Sequence, residues 1–386
     1  MFQWLGDLYD LVSLAWHFKS LLWYRAAYFK EENAEAFCKL LQDRGAFFIK
    51  LGQWLAQRTD SGLPDLYCKK LKELQTDAPR HSWKETVQVC HPYDLSEIEF
   101  EDIDAGVPVP IKSGSIAQVY RVKCSVNQIL AMRKEGDDEL STFTYTPDSV
   151  KNDEPIRFAL KVCHPNVGAV FARSLRTVTN LYLLAQWYFG KQSFLAMVNI
   201  HDVVAQEFQR QCNLICEANQ CLKIRDNLRN NPFASAPFPC FATPNFFFIE
   251  YVKDAIFYDE IGALDKQNYA NQQEIDDTKM VAKQITLAAF FQMVLYDGCS
   301  HGDCHSGNIL YRITPKDRVQ YETELLEMKN HAVVGRPLRI APVHICVYFI
   351  DFGIVVDIDD NLRNTMLDLT VSINSCDSRL MAKAFE

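Results

Sequence analysis

The chain has 386 residues, of which 48% are hydrophobic and 23% charged, and its 40 basic against 49 acidic side chains give a formal net charge of −9. That length predicts two or three domains of about 100–200 residues with ample core. The composition is that of a globular protein. It excludes disorder, collagen-like repeats and a polytopic membrane protein, and the acidic balance lacks the basic footprint of sequence-independent nucleic-acid binding.

Thirteen cysteines are scattered from Cys38 to Cys376 without a C-x-x-C pair. This predicts a reducing compartment rather than a disulfide framework. The longest charge-free run, Asn230 to Ile249, carries four prolines and cannot be one helix. The first thirty residues hold Trp4, Trp16 and Trp23 among further aromatics. Such a segment can lie on a membrane interface or pack on the folded body, and both readings stay open. Asp7 and Asp10 precede the first arginine, Arg25, which makes it a poor organelle presequence.

Phe37, Leu40, Leu41, Phe48, Leu51 and Leu55 recur at helical spacing and predict a helix over 34–59. Gly62 and Pro64 break it, and a short helix runs from Pro64 to Leu74. From Glu97 to Val122 the pattern is strand-like, strongest at Ile116 to Val122. The polar stretch Cys124 to Arg157 reads as a hairpin insertion, and Phe158 to Val162 as a compact apolar strand. Residues 168–230 read as helical, and Phe241 to Val252 as strand. Gln273 to Tyr296 is a long helix whose apolar second half, from Ile285, predicts burial. A second polar insertion separates Leu310 from the apolar strand Val343 to Ile350. The order predicts an α+β fold with two lobes rather than regular βαβ alternation.

Three segments carry chemistry. The octapeptide His301-Gly-Asp-Cys-His-Ser-Gly-Asn308 places Asp303 and Asn308 in a D-x-x-x-x-N spacing. Asp351-Phe-Gly353 ends an apolar strand, and Lys161 ends another, Phe158-Ala-Leu-Lys161-Val. In this order they match the parts of a kinase-type phosphoryl-transfer site. Lys161 would meet the α/β-phosphates of a nucleotide such as ATP. Asn308 and Asp351 would offer hard oxygen ligands to Mg²⁺, and Asp303 would orient an attacking hydroxyl or water. Cys299, His301, Asp303 and His305 also contain zinc-ligand types. However, Gly302 and Gly307 keep them off a helix face, and no H-E-x-x-H occurs; His301 is better suited to support the loop backbone.

Nowhere do two glycines sit two apart, so the G-x-G-x-x-G loop is absent. In its place stands Lys112-Ser113-Gly114-Ser115-Ile116-Ala117-Gln118, whose small residues let backbone N–H groups approach phosphate.

That loop, with the octapeptide and Lys50-Leu-Gly52-Gln53, resembles the UbiB family of atypical kinase-like proteins, the aarF-domain-containing kinases. The family's K-x-G-Q-x-x-x-x-R-x-D signature is met by Lys50, Gly52, Gln53, Arg58 and Asp60. Ser113 to Gln118 is similar to the family's alanine-rich nucleotide loop, Lys161-Val-Cys-His164-Pro165 to its lysine strand, and Glu217-Ala-Asn219 to the region of the glutamate that pairs the lysine. The insertions at 124–157 and 311–342 look more like the second aarF-domain kinase branch. The resemblance runs from about residue 33 to 360. It implies a protein-kinase-like two-lobed fold with an N-terminal helical extension: the extension over 1–95, an N-lobe over 96–255 and a C-lobe over 256–386. It further implies binding of ATP and Mg²⁺, and ATPase or small-molecule or lipid kinase activity in support of ubiquinone (coenzyme Q) biosynthesis at a mitochondrial membrane. Its implied partners are nucleotide, prenyl lipid or membrane surface, and coenzyme Q biosynthesis proteins, with no nucleic acid. Lys50, Gln53 and Gln57 share one helix face, the face that in the family covers the substrate groove.

Three departures stand out. Gly114 replaces the usual alanine of the loop, and the family's E-x-D carboxylates fall on Gln211 and Asn213. Beyond Gly353 the chain runs only from Ile354 to Glu386, which predicts a C-lobe that stops mid-domain. Two rival readings remain: a pseudokinase scaffold that binds nucleotide or prenyl lipid without turnover, and a small-molecule phosphotransferase of the aminoglycoside or choline kinase type, which shares H-G-D-x-x-x-x-N.

Overall fold

The computed structural model describes residues 31–43, 47–50, 52, 65–72, 80–132, 142–147, 151–189, 210–330 and 340–375. Helices α1 (Glu31–Asp43), α2 (Asp65–Lys72) and α3 (Trp83–Cys90) come first. Short strands β1 (Glu99–Phe100), β2 (Ile103–Asp104), β3 (Val107–Pro108) and β4 (Lys112–Ser113) lead into the longer β5 (Ala117–Cys124). Helix α4 (Val126–Ala131), β6 (Phe143–Thr144) and β7 (Ile156–Cys163) precede α5 (Val167–Phe189) and α6 (Leu214–Asn227). Strands β8 (Ala234–Ser235), β9 (Pro239–Ala242), β10 (Phe246–Glu250) and β11 (Ala255–Ile256) follow, then α7 (Gln272–Phe291). The remainder is β12 (Cys299–His301), β13 (Ile309–Pro315), α8 (Arg318–Asn330), β14 (Val343–Phe349), β15 (Val355–Asp357) and α9 (Asp360–Ser375).

The described residues fall into two compact units that interleave along the chain. The first takes those within Met1–Thr142, Lys151–Ile215 and Ala242–Phe248; the second takes those within Phe143–Val150, Cys216–Phe241 and Ile249–Glu386.

In the first unit, β5 and β7 pair antiparallel from Ala117↔Cys163 to Cys124↔Ile156. Alternation sets the faces: Tyr120, Val122 and Cys124 are buried while Val119, Arg121 and Lys123 are not. β1 and β4 both pair with β5 on its other edge, and β10 follows β7. Helix α3 starts at a capping box in which Ser82 and Glu85 satisfy each other's backbone N–H. Its Trp83 meets Phe100 and Tyr120 edge-on, with ring centroids 4.8 and 5.7 Å away. A separate apolar cluster gathers Phe37 and Leu41 of α1, Phe47, Phe48 and Ile49, Tyr67 and Leu71 of α2, and Phe171 of α5. This cluster is why the extension is anchored: the helical spacing of its apolar residues finds a partner on α5.

In the second unit, β13 and β14 pair antiparallel along their whole length, from Ile309↔Phe349 to Pro315↔Val343. β11 flanks β13, and β8 joins β14 in parallel. β12 and β15 form their own ladder, Cys299↔Asp357 to His301↔Val355. The core packs Cys221, Ile224 and Leu228 of α6 and Ala282 and Ala289 of α7 with Val343, Ile345, Val347 and Phe349 of β14.

Three sequence expectations change. The stretch 124–157 is not a hairpin over its described part. Ser125 and Gln128 form a second capping box that starts α4, and β6 is a two-residue strand. The second polar insertion also contains a helix, α8, whose first residue Arg318 holds the buried Glu274 of α7 with two bonds of 3.2 and 2.9 Å. Finally, the apolar second half of α7 is not buried all round. Ala282, Ala289 and Met293 face the core, but Leu287 and Phe291 lie on the open side, and the helix ends in a π-turn at Gln292–Tyr296 with Tyr296 85% exposed. Among the described residues no helix is long and apolar enough to cross a membrane.

Candidate functional site

In the second unit the octapeptide leaves β12 and enters β13. Gly302 donates its N–H to Ile354 O at 2.9 Å. A Cβ at this position would come within 2.5 Å of Ile354 Cγ2, so glycine is what allows the loop to lie against the chain beyond Asp351. His301 is buried and both ring nitrogens are engaged: Nε2 donates to Ile350 O and Nδ1 accepts the Asp303 N–H, each at 3.1 Å. These two bonds fix the tautomer with the proton on Nε2. They also join the octapeptide to the residue just before Asp351. His301 stands 5.4 Å, ring to ring, from Phe352. With both nitrogens occupied it cannot ligate zinc; it supports the backbone of the loop.

Asn308 is buried and donates Nδ2 to the Asp303 carbonyl at 3.1 Å. Its own carbonyl accepts the Ile350 N–H at 2.9 Å, extending the β13–β14 ladder by one step. The register therefore sets Asn308 beside the chain that delivers Asp351. Asp351 adopts the left-handed region, φ 64°, and its side chain is exposed. Aspartate is among the few non-glycine residues that occupy this region. Asp303 Oδ2 lies 3.8 Å from His305 Nε2, and His305 Nδ1 accepts the Gly307 N–H at 3.0 Å. The Cys304 thiol is pushed up to about 11 by burial, with the Asp303 carboxylate adding to the rise. It is thus no thiolate nucleophile at neutral pH.

The donor set fits a magnesium nucleotide. Asn308 has committed its amide nitrogen, which leaves an amide oxygen, and Asp351 offers a carboxylate; both are hard oxygen ligands of the kind Mg²⁺ takes.

In the first unit Lys112 to Gln118 form the tip of the β4–β5 hairpin. Lys112 pairs Val119 and Ser113 pairs Gln118, and the Gly114 N–H donates to Ala117 O at 2.8 Å. Ser113, Ser115, Ala117 and Gln118 are buried, while Gly114 and Ile116 are half-buried. A Cβ on Gly114 would meet only Ala117 O at 3.5 Å, an ordinary contact, so nothing in the packing demands glycine there. Lys161 sits in β7 opposite Val119. Glu217 is buried in the first turn of α6, in the second unit. Lys50 is half-buried and Gly52 buried, both in helical conformation. Gln53, Arg58 and Asp60 lie outside the described residues.

Sequence reasoning missed one part of the first unit, a polar chain behind the hairpin tip formed by the half-buried His81 and His164 with the buried Thr86, Gln118 and Tyr120. Its residues lie far apart in the chain, and only the fold brings them together.

A lysine strand, a D-x-x-x-x-N loop beside a D-F-G turn, and an α+β frame define an atypical kinase-like protein. A model of the ABC1 atypical kinase-like domain matches residues 149–385. The chain belongs to that family. An ABC1 family protein of Schizosaccharomyces pombe, described as mitochondrial, is 27% identical over 360 residues, covering 85% of this chain and 48% of that protein. A second ABC1 family protein described as mitochondrial, from Saccharomyces cerevisiae, is 24% identical across 86% of this chain and 50% of its own length. A probable protein kinase UbiB of Shewanella baltica is 25% identical across 79% of this chain and 50% of its own. The chain thus spans about half the length of the curated relatives it matches.

Proposed function

We propose that the protein binds a magnesium nucleotide and hydrolyses it, or transfers its terminal phosphoryl group to a small molecule or lipid, in support of ubiquinone biosynthesis at a mitochondrial membrane. One observation carries the nucleotide part: the β13–β14 register bonds the Asn308 carbonyl to the Ile350 N–H at 2.9 Å, so a committed amide and the Asp351 carboxylate arise from adjacent backbone. Bound Mg²⁺-ATP would supply the phosphoryl group and the metal charge that stabilises its transfer. Asn308 and Asp351 would hold the metal, and Lys161 the α/β-phosphates. Asp303, fixed through its backbone by His301 and Asn308, would orient the attacking hydroxyl or water and accept its proton. The ubiquinone role rests on the family likeness.

Phosphate release from Mg-ATP tests the chemistry. Asp351→Asn should lower it by about 10²-fold or more, the scale of losing one charge-stabilising group. The ubiquinone role predicts that cells lacking this protein lose ubiquinone, and that the wild type but not Asp351→Asn restores it.

A scaffold without turnover is the second reading. Its support is that the two family carboxylates are amides here, and the Asn213 side chain is spent on accepting the Ile215 N–H at 3.0 Å, at the start of α6. Equal phosphate release by wild type and Asp351→Asn, with Mg-nucleotide still raising the wild-type melting midpoint, would establish this reading and end the enzymatic one.

A further inference from the structure

Behind the hairpin tip a series of side chains runs in one direction, and with both imidazoles neutral the carbonyl at its end orders the protons along it. The carbonyl of Gly114 can only accept, so His164 Nε2, 2.8 Å away, carries a proton. His164 Nδ1 lies 2.7 Å from His81 Nδ1. One proton fits between them, and with His164 neutral it belongs to His81. His81 Nε2 is then an acceptor and receives the Thr86 hydroxyl at 2.9 Å. Thr86 in turn accepts from Tyr120 at 2.7 Å, and Tyr120 accepts from Gln118 Nε2 at 2.5 Å. Gln118 also pairs the backbone of His81, accepting its N–H at 3.1 Å and donating to its carbonyl at 3.2 Å. Beside this chain, the His164 N–H donates to Ile116 O at 2.8 Å. Both ends of the chain therefore rest on the loop Gly114 to Gln118.

We infer that His164, oriented by His81, is a positioning residue for the nucleotide loop: its imidazole N–H holds the Gly114 carbonyl in a direction that the His81 ring fixes. This deepens the nucleotide reading above and rests on it for the identity of the ligand. Only when both rings carry a second proton do two N–H groups meet head to head across 2.7 Å; one extra proton is accommodated, because His81 Nε2 can then donate to the Thr86 hydroxyl. The neutral state is favoured at neutral pH: burial, and for His81 the neighbouring His164, lower both imidazoles, His81 to about 4. The charged and titratable neighbours are Glu85 of α3, which pulls both the other way, and the buried Tyr120 of β5. Glu85 is already occupied by the N–H and hydroxyl of Ser82.

The experiment is amide hydrogen exchange of the loop peptide in the 386-residue chain at neutral pH, with and without Mg-ADP. Protection of Gly114 to Ala117 in the free protein should drop several-fold in His164→Ala, and the Mg-ADP dissociation constant of that variant should rise about tenfold, the cost of roughly one charge-free hydrogen bond plus loop ordering. His164→Gln keeps an N–H donor, so its loop protection and its Mg-ADP affinity should stay near those of the wild type. A His164→Ala loop as protected as the wild type overturns the inference, as does a His164→Gln loop as exposed as that of the alanine variant. If the loop responds as expected but Mg-ADP neither binds nor protects it, the positioning role stands and the nucleotide reading is what fails.

Discussion

At the scale of single residues, the second unit joins its two motifs through atoms that have nothing to spare. His301 spends one nitrogen on Ile350 and the other on Asp303. Gly302 is required by the 2.5 Å approach to Ile354 Cγ2. Gly302→Ala should therefore destabilise the protein by about 1–3 kcal/mol, the range for overpacking a tight contact, and a denaturant titration reads it directly. Asp351 is different, because its cost is conformational. At φ 64° an ordinary residue loses about 1 kcal/mol or more that glycine does not. Asp351→Gly should raise the unfolding midpoint while abolishing phosphate release. Asn tolerates the same backbone region, so Asp351→Asn should keep the wild-type midpoint and still lose activity. A melting curve of Asp351→Gly below the wild type would show that what the side chain contributes to the fold outweighs the cost of its backbone, contrary to this account.

At the scale of elements, what the sequence made legible was what periodicity and short motifs encode. The apolar strands around Lys161 and before Asp351 stand where the alternation and apolar runs put them, as β7 and β14. The α7 helix was legible in its length but not in its environment. A continuous apolar run such as Ile285 to Tyr296 carries no record of which face meets a neighbour, and only the packing of Ala282, Ala289 and Met293 decides it. Helix α4 was hidden for another reason. Its surroundings are polar and its apolar stripe is just two residues, Val126 and Ile129. The signal that marks it is Ser125-x-x-Gln128, a capping box in which Ser125 Oγ accepts the Gln128 N–H at 3.2 Å and Gln128 Oε1 accepts the Ser125 N–H at 2.8 Å. So short a helix depends on its cap. Ser125→Ala should cost about 0.5–2 kcal/mol, and Ser125→Asp, which can accept the same bond, should restore most of it. Equal stability of the alanine variant and the wild type by chemical denaturation would mean that packing of Val126 and Ile129 alone holds the helix. The candidate site was legible to a similar degree: the motifs name Asp303, Asn308 and Asp351 as candidates, but show neither the bond between their segments nor the histidine chain, since neither is local in sequence.

At the scale of the whole molecule, the half-buried histidine pair makes stability depend on pH in a window that carboxylates do not share. In the unfolded chain an imidazole takes up its proton near 6.5, whereas folded His81 refuses it until about 4 and folded His164 is lowered as well. Between those values the unfolded state binds more protons than the folded one, so stability rises with pH across the window and is lost as pH falls through it. The acids behave otherwise. Glu85 and Glu274 are held below their usual 4.5, Glu85 by the backbone and side chain of Ser82 and Glu274 by Arg318 and the Ala270 N–H outweighing its burial. Their contribution is complete above 4.5 and fades only at lower pH. The two families therefore separate along the pH axis. Thermal unfolding followed in steps from about pH 7 to about pH 4 should show the wild type losing stability from about 6.5 downward, by roughly 1 °C for each kcal/mol in a protein of this size. The double variant His81→Asn, His164→Gln should be flat down to about pH 4.5 and then fall with the wild type. A double variant that declines from 6.5 in parallel with the wild type would place the acid sensitivity elsewhere in the molecule and leave the histidine pair without a part in it.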